Sequence, residues 1–584
     1  MKSEWSLDAL YEGYNSPSFE SDRKQLEALI QEYNQFVATI YEGDSKEKLI
    51  GLLQHLERIT TLSGKLMMYL ELAHSTDTTN AEISSLSGQM EELMSQCSKS
   101  DAKVTHFIAS IPHLSAWIDS DAYLKDYEFF LNNQVKQSKH TLSEEVEEVI
   151  AKLNQSAASA WSMLQQYVTS TVTVDYLSEE LTLSDVRNLA SSPDAAVRKA
   201  AYEAELACYE KIKDSVCFSL NSIKSQVNTI AELRGYSSPL DMTLISANMS
   251  QETLDALFTA IDEYLPAFRN YLKAKGKLLG SKHGLAWYDL FAPIGESHMK
   301  FTLEEARDLL LELFEGFSPE LATMVKEAFE QSWIDFYPRK GKVGGAFCEN
   351  LPMLQQSRIL TNFDGTLSSV VTLAHELGHA YHGFLIQDHR PLNTNYSMQL
   401  AETASTMNEN IVMEAILAKA SDDEKLTLLE SQLQDVTQII VDIYSRYLFE
   451  KSVFELRKTE FLFPEDLCRL MLDAQKKAYG DGIDESTLHP YIWVCKPHYY
   501  DADYNYYNYP YAFGGLFAKG LYEQYRKEGA SFLPKYRSLL HATTVCTSEE
   551  VAAMAGIDIT KPDFWRQSLQ SIADSIEVFL KLVK

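Results

Sequence analysis

The sequence predicts a mainly α-helical protein with a small β-sheet. Apolar residues recur at steps of three and four over long stretches, several of these stretches follow helix start signals, and β-branched runs are confined to two short zones. The 584 residues show no long Pro/Gly/Ser linker and no internal repeat with a period of roughly 20–50 residues. We therefore expect the helical parts to pack against one another.

Three helices can be predicted in chain order. Residues 20–41 carry an apolar stripe that consists of Leu26, Leu29, Ile30, Tyr33 and Val37. Thr141-Leu-Ser-Glu144 has the pattern of a capping box and predicts a helix that runs towards Gln165. Ser192-Pro193-Asp194 predicts another start, with Ser192 as the N-cap of a long helix that continues through Ala200 to Cys208.

Two zones favour strands. The β-branched run 168–174, followed by residues 181–183, predicts a small strand pair. Residues 334–337, 344–348 and 359–363 predict a second sheet, because turn signals separate these short apolar runs. The strands are few and short, so the sheets should be minor parts of the fold.

Composition and charge narrow the function classes. Asp and Glu number 83 against 52 Lys and Arg, and the net charge of −31 disfavours nucleic acid and anionic membranes as partners. No apolar run approaches the ~18 residues of a membrane helix, and the N-terminus lacks the apolar core of a secretory signal. Seven scattered cysteines without a CxxC pair are typical of reduced thiols. We expect a soluble, cytoplasmic protein.

Residues 371–384 read VTLAHELGHAYHGF and contain the HExxH pattern from His375 to His379. On a helix, positions i and i+4 lie on one face, so both imidazoles can reach one metal ion. Glu376 then lies beside the open side of the metal, where it can take a proton from an activated water. The pattern predicts a catalytic zinc site with one ion per chain. A pair of hydrogen-bonded core histidines is the alternative.

Two other residues of this helix raise separate questions. His382 lies seven residues after His375, a rise of about 10.5 Å, which is too far for both to bind one ion. We expect His382 to support the site, face the substrate or pack in the core. Gly378 costs roughly 1 kcal/mol relative to Ala in a helix, which predicts a close approach by another backbone or a ligand.

The third zinc ligand must come from another segment, because a catalytic zinc usually has three protein ligands. Residues 400–410 read LAETASTMNEN and carry Glu402 and Glu409 on a predicted helix that can fold back antiparallel. We choose Glu402 as the ligand. Glu409, two turns later, is the alternative or a group that supports a ligand.

An unusual aromatic segment follows His498. Seven of the thirteen residues from 499 to 511 are tyrosine. Peptide hydrolysis builds negative charge on the former carbonyl oxygen, and phenol or imidazole donors can stabilise that charge. An aromatic packing seam is the alternative for any single tyrosine.

Together these segments resemble the oligoendopeptidase F family, which is related to thimet oligopeptidase among the zincin metallopeptidases. The resemblance covers most of residues 115–580. It rests on four motifs in order: YPRKGKVGGAFC at 337–348, TLAHELGHAYHG at 372–383, LAETASTMNE at 400–409, and the segment from His498 through YNYPYAFG at 507–514.

The resemblance implies a zincin-type, two-lobed helical clamshell with a deep central channel and a small β-sheet beside the active-site helix. We place the N-terminal lobe at 1–190, with the strand pair near 168–183, and the catalytic region at 191–584. The implied zinc ligands are His375, His379 and Glu402, with Glu376 as general base.

The resemblance also implies substrate-binding groups. His498 and Tyr511 match the histidine and tyrosine that hold the substrate and polarise its carbonyl, while Tyr504 and Tyr507 both remain candidates for a second tyrosine. An extended peptide would pair with the sheet edge, which we expect at Gly344, Gly345, Ala346 and Phe347.

We interpret the sequence as that of a zinc-dependent endopeptidase that hydrolyses short oligopeptides; its oligomeric state stays open. A carboxypeptidase-type exopeptidase is one alternative, and it would need a cation such as Lys496, Arg339 or Arg390 to hold a free terminus. A non-catalytic, metal-containing peptide-binding protein is another. Glu376 argues against it, since a structural site normally fills all four positions with protein ligands and needs no base.

Overall fold

A computed structural model describes residues 2–98, 100–295 and 299–583, and helices make up most of it. The first helices are α1 Pro17–Ala38, α2 Ser45–Thr76, α3 Ala81–Ser98, α4 Asp101–Ala109, α5 Leu114–Ser120, α6 Ala122–Asp126, α7 Glu128–Ser138, α8 Glu144–Asn154 and α9 Ala158–Thr171. The next are α10 Leu183–Asn188, α11 Ala195–Leu233, α12 Pro239–Ser246, α13 Gln251–Leu278, α14 Leu303–Phe317 and α15 Pro319–Glu330.

The C-terminal half carries the motif-bearing helices. They are α16 Leu367–Ile386, α17 Met398–Ala401, α18 Thr403–Lys419, α19 Asp422–Thr437, α20 Ile443–Leu456, α21 Pro464–Tyr479, α22 Ile492–Cys495, α23 Tyr509–Glu528, α24 Leu533–Ala542, α25 Ser548–Met554 and α26 Pro562–Leu582.

Two small sheets accompany the helices. Strands β1 (Thr173–Tyr176) and β2 (Glu179–Thr182) form an antiparallel pair. Strands β3 (Ile334–Asp335), β4 (Phe347–Leu351) and β5 (Gln356–Leu360) form a sheet in the order β3-β5-β4. Strand β5 pairs parallel to β3 and antiparallel to β4, so β4 is an edge strand.

The structure confirms helices in all three predicted regions, but two of them begin at a different residue from the one predicted. Helix α1 buries the predicted stripe. The helix expected over 141–165 is two helices, and its N-cap is Ser143, because the Thr141 hydroxyl donates instead to the Gln137 carbonyl at 3.0 Å. Asp194, not Ser192, caps α11, since its carboxylate accepts the Ala196 N–H at 2.8 Å.

The strand predictions need similar corrections. The β-branched run 168–174 is helical as far as Thr171, and only its end enters β1. Gly344, Gly345 and Ala346 lie in the loop before β4, and of the four expected edge residues Phe347 alone is in the strand. Gly345 turns the chain there with a φ of +77°, which extended backbone does not permit.

The apolar side chains form two separate cores. One is built from α1–α7 and the other from residues after Ala158, which include Val174 of β1. The three-stranded sheet joins them, because Leu351 of β4 belongs to the first core and Ile359 of β5 to the second. The domain boundary at residue 190 stays a prediction.

Helix α16 crosses α18 at Gly378. A Cβ added to Gly378 would lie 2.5 Å from both the Ala404 oxygen and the Ser405 Cα, so only glycine permits this approach. The expected close contact is therefore with a backbone. Asn408 of α18 donates to the Ala374 carbonyl at 3.0 Å, which fixes an antiparallel register. Across the described ranges, no helix combines the length and apolar character that a membrane crossing requires.

Candidate active site

The HExxH residues lie in the middle of α16. Thr366 caps this helix by accepting the Ser369 N–H, and its apolar positions pack in the second core. The Nε2 atoms of His375 and His379 are 3.1 Å apart, and their rings stand nearly perpendicular at 80°. The helical i,i+4 spacing thus aims both imidazoles at one point.

Glu402 completes a triangle of donor atoms. Its Oε2 lies 3.2 Å from His375 Nε2 and 3.4 Å from His379 Nε2. The residue sits at the junction of α17 and α18, where Ser405 donates to the same carboxylate oxygen at 2.8 Å. A Cβ on Gly514 of α23 would lie 3.3 Å from the Glu402 Cβ, so α23 supports this residue from behind.

Glu409 contacts His375 from the other side of the ring. Its Oε1 lies 2.5 Å from His375 Nδ1 and does not join the donor triangle. The Glu409 carboxylate accepts the proton on Nδ1 of His375, so the ring presents its other nitrogen, Nε2, to the triangle. Glu402 therefore faces both Nε2 atoms, whereas Glu409 contacts the opposite nitrogen of His375.

The charges of the cluster are strongly coupled. Burial would lower the pKa of His375, but the Glu402 and Glu409 carboxylates outweigh it and raise the pKa to about 10. Burial likewise opposes ionisation of Glu402, yet His375 and His379 hold the pKa of that carboxyl well below its usual range. Near pH 7 the anionic Glu402 carboxylate therefore faces a protonated His375, and a divalent cation would take the place of that proton.

Glu376 is a buried carboxyl on α16, next to His375 in the chain. It is 5% exposed, and burial raises the pKa of its carboxyl above the ordinary value. Burial first, and then the charge of Glu376, raise the pKa of the Cys348 thiol on β4.

His382 is a packed residue and not a ligand. It is fully buried, its Nε2 lies 2.7 Å from Thr543 Oγ1, and its ring stacks on Tyr396 with centroids 4.2 Å apart. Burial lowers its pKa to about 3, so it is neutral. Of the three roles open to His382, packing in the core is the one that fits.

Three of the four candidate residues in the aromatic segment, His498, Tyr507 and Tyr511, lie close together. Tyr507 lies between His498 and Tyr511, with ring centroids 5.2 and 5.6 Å away. Tyr504 is 62% exposed, and its ring lies 6.2 Å from that of Tyr507, measured between centroids. Burial first, then Arg446 and Lys496, lower the pKa of His498. Its ring is therefore neutral near pH 7.

A cavity of about 610 Å³ connects the two groups of residues. His375, Glu402 and Glu409 line it together with Tyr511, and much of the remaining wall is apolar. Burial and the neighbouring Tyr507 raise the pKa of Tyr511, so this phenol keeps its proton and can donate it. Tyr504 and Tyr507 line a different cavity.

Two supporting residues escaped the sequence analysis. Ser405 donates a hydrogen bond to the Glu402 carboxylate. This contact could have been predicted, because Ser405 follows Glu402 by three residues in AETAS and so lies on the same side of a helix. Asn350 of β4 donates to the His379 carbonyl at 3.4 Å and packs against the bare Cα of Gly383. A second glycine in the HExxH helix was the signal for that contact.

Comparison with known proteins decides the family. A family model described as Peptidase family M3 matches residues 188–571, and another described as Oligopeptidase F matches residues 110–173. The chain belongs to peptidase family M3. As a member of this family it is a metallo-oligopeptidase, a hydrolase of peptide bonds, which confirms the predicted enzyme class.

Similar family M3 chains span nearly the whole protein. Oligopeptidase PepF of Bacillus subtilis is 28% identical over 574 residues, covering 96% of this chain and 84% of its own. The oligoendopeptidase F homolog of Lactococcus lactis is 27% identical over 552 residues, covering 93% of this chain and 91% of its own. The predicted resemblance to oligoendopeptidase F is confirmed.

Solved structures confirm the family M3 fold. A crystal structure from Chlamydophila abortus has a TM-score of 0.85 at 23% identity, and covers 99% of this chain and 98% of its own. Oligoendopeptidase-F from Enterococcus faecium has a TM-score of 0.73 at 21% identity, with coverages of 97% and 99%. The fold is the predicted two-lobed helical clamshell with small sheets.

Proposed function

We propose that the protein is a zinc-dependent endopeptidase that cleaves short oligopeptides, with Glu376 as general base. The observation that carries this proposal is the donor triangle of His375, His379 and Glu402 beside a buried, otherwise uncommitted carboxyl. Histidine and carboxylate donors in a ratio of two to one, with an open side, are typical of catalytic zinc.

The residues fit a zinc ion in distance as well as in kind. Tetrahedral zinc with bonds of about 2.0–2.1 Å requires ligand atoms roughly 3.3–3.4 Å apart. The three separations are 3.1, 3.2 and 3.4 Å. His375, His379 and Glu402 would hold the ion. When bound, zinc supplies Lewis acidity, which polarises a carbonyl and makes water more acidic.

Glu376 is the group that moves the proton. Its carboxylate takes a proton from the attacking water and returns it to the leaving amine. The burial that raises the pKa of Glu376 suits both halves of this task, because a base with a higher pKa holds the proton more firmly until the amine leaves.

His498 and Tyr511 are proposed to donate hydrogen bonds to the oxyanion. Tyr511 faces the cavity that His375 lines, and His498 lies against it with ring centroids 6.2 Å apart. Both are neutral near pH 7 and carry protons to donate, which stabilises the transition state more than the substrate. Tyr507, which contacts both rings, is favoured over Tyr504 as the second tyrosine.

The outer edge of β4 is the proposed binding line for an extended peptide. The residues that follow Phe347, from Cys348 to Pro352, border a cavity of about 250 Å³ next to the last turns of α16. Among the described residues, no backbone group outside the sheet bonds to Phe347–Asn350, so the edge is free to pair. The proposed binding edge is therefore Cys348–Pro352, which follows directly after the predicted Gly344–Phe347.

Cleavage inside peptides is favoured over removal of terminal residues. An exopeptidase needs a free cation, but Arg339 pairs with Asp335 and Arg390 pairs with Asp126. Burial first, and then the charge of Arg446, lower the pKa of Lys496, which disfavours its charged form. Peptides blocked by acetyl and amide groups test this directly. We expect them to be cleaved as well as free peptides, and exclusive trimming of free peptides would refute the endopeptidase proposal.

Substitution of the base tests the mechanism. Glu376→Gln should retain zinc and lower kcat by about 10²–10⁴-fold, the usual contribution of a general base. Asp101→Asn is the matched control: it neutralises another carboxyl whose pKa burial raises, on α4, which contributes to the first core and not to the site. Its kcat should stay within a few-fold of the wild type. Equal kcat in wild type and Glu376→Gln would exclude the proposed base.

A further inference from the structure

A second histidine cluster lies beyond the C-terminal end of α16. Asp388 and His389 follow the last turn of α16 and meet His541, which lies near the end of α24. His389 Nε2 is 3.3 Å from His541 Nδ1, and Asp388 Oδ1 is 3.1 Å from His541 Nε2. The cluster shares no residue with the donor triangle of His375, His379 and Glu402.

The two imidazole pairs have nearly the same geometry. In the catalytic pair the facing nitrogens are 3.1 Å apart and the rings meet at 80°. In the second pair the values are 3.3 Å and 76°. A carboxylate backs one ring in each pair: Glu409 behind His375, and Asp388 in contact with His541. The second pair therefore has the ring geometry and the carboxylate contact of a metal-binding pair.

The proton positions also favour a cation between the rings. A carboxylate only accepts hydrogen bonds, so His541 Nε2 donates to Asp388 and its Nδ1 turns a lone pair towards His389. His389 Nδ1 lies 2.6 Å from Thr544 Oγ1, which can accept its proton. Two lone pairs then face each other across 3.3 Å.

The site is accessible to metal from solvent. The side chains of His541 and Asp388 are 44% and 70% exposed, so water can fill the positions that the two imidazoles leave open while Asp388 orients the His541 ring. Imidazole and carboxylate donors suit zinc, nickel and copper and not magnesium or calcium.

We propose that Asp388, His389 and His541 form a second metal site, for zinc or a similar metal such as nickel or copper. A metal bound there would hold the segment after α16 against α24. The site is independent of the catalytic zinc. Metal there binds the folded protein and not the unfolded chain, so it raises stability by mass action.

Metal stoichiometry tests this proposal. Tag-free, full-length protein is equilibrated by dialysis with micromolar zinc, and bound zinc is measured by elemental analysis. We expect two equivalents in the wild type, one in His541→Gln and one in His379→Gln. His283→Gln, which removes an exposed histidine outside both clusters, should keep two. His541→Gln should keep its peptidase activity and lose the zinc-dependent rise in Tm.

Some results would overturn the second site. They are a single equivalent in the wild type, no zinc in His379→Gln, or two equivalents in His541→Gln. If His541→Gln does not fold, Asp388→Asn serves as the second variant, because it keeps the shape of the exposed side chain and removes its charge. Asp388→Asn should weaken the second equivalent at least several-fold, and unchanged binding would contradict the proposal.

Discussion

Gly378→Ala should damage both stability and activity, although alanine is the better helix former. The new methyl carbon would lie 2.5 Å from the Ala404 oxygen and the Ser405 Cα and 2.7 Å from the Ala404 carbonyl carbon. All three are backbone atoms of the neighbouring turn, so no side chain can rotate away. Overpacking of this kind costs roughly 1–3 kcal/mol, and the rigid contact places the variant near the upper limit.

The gain in helix propensity offsets part of that cost. Gly to Ala in a helix interior gains about 1 kcal/mol, which leaves a net loss of about 2 kcal/mol in the free energy of unfolding. The helices must also separate, and this moves His375 away from Glu402. A misplacement near 1 Å can lower kcat/KM by about 10²-fold.

Gly88→Ala is the matched control, because Gly88 lies within α3 and an added Cβ there meets nothing within 4 Å. It should stabilise the protein by up to about 1 kcal/mol and leave turnover unchanged. Urea midpoints, bound zinc and kcat/KM of the two variants give the comparison. If Gly378→Ala matches Gly88→Ala in all three, the backbone contact does not set the geometry of the site.

Three further predictions concern the active site. Glu409→Gln should weaken zinc binding by about 10–100-fold, measured by competition with a chelator, because the His375 ring loses the carboxylate that orients it. Tyr511→Phe should lower kcat by about 10²–10³-fold with little change in KM, while the exposed Tyr504→Phe should behave like the wild type; equal kcat in both would contradict the proposed donor. Burial raises the pKa of Glu376, and the base acts only when ionised, so kcat/KM should fall with decreasing pH through a pKa above the ordinary value of about 4.3. A pH profile with its acid limb at or below that value would refute this reasoning.

Local sequence spacing predicted more of the site than of the element boundaries. His375 and His379 follow from helical geometry alone, and Gly378 correctly indicated a close backbone contact. The choice between Glu402 and Glu409 could not follow from spacing, because it depends on the register in which α18 crosses α16. That register is set by packing between segments and not by either segment alone.

The predicted ends of helices and strands are wrong where neighbouring residues can take the same structural role. Ser192 and Asp194 are both good N-caps; in the structure Asp194 caps the helix, while the Ser192 carbonyl accepts a hydrogen bond from Arg198 at 2.7 Å. The strand at Gly344 was predicted from apolar residues, but the positive φ of Gly345 delays it until Phe347. In both cases a conformation or a tertiary contact outweighs local propensity.

Helix α16 links the two proposed metal sites, and its packing determines how far each can influence the other. Close contacts hold it at Gly378 against α18 and at Gly383 against Asn350 of β4, and His382 is fixed by Thr543. Both glycine contacts and His382 lie between His375 and His389. Because packed interiors deform little, occupancy of the His389–His541 site should move the catalytic donors much less than it stabilises the connection to α24. The second site should therefore change the temperature at which activity is lost more than it changes kcat at lower temperatures.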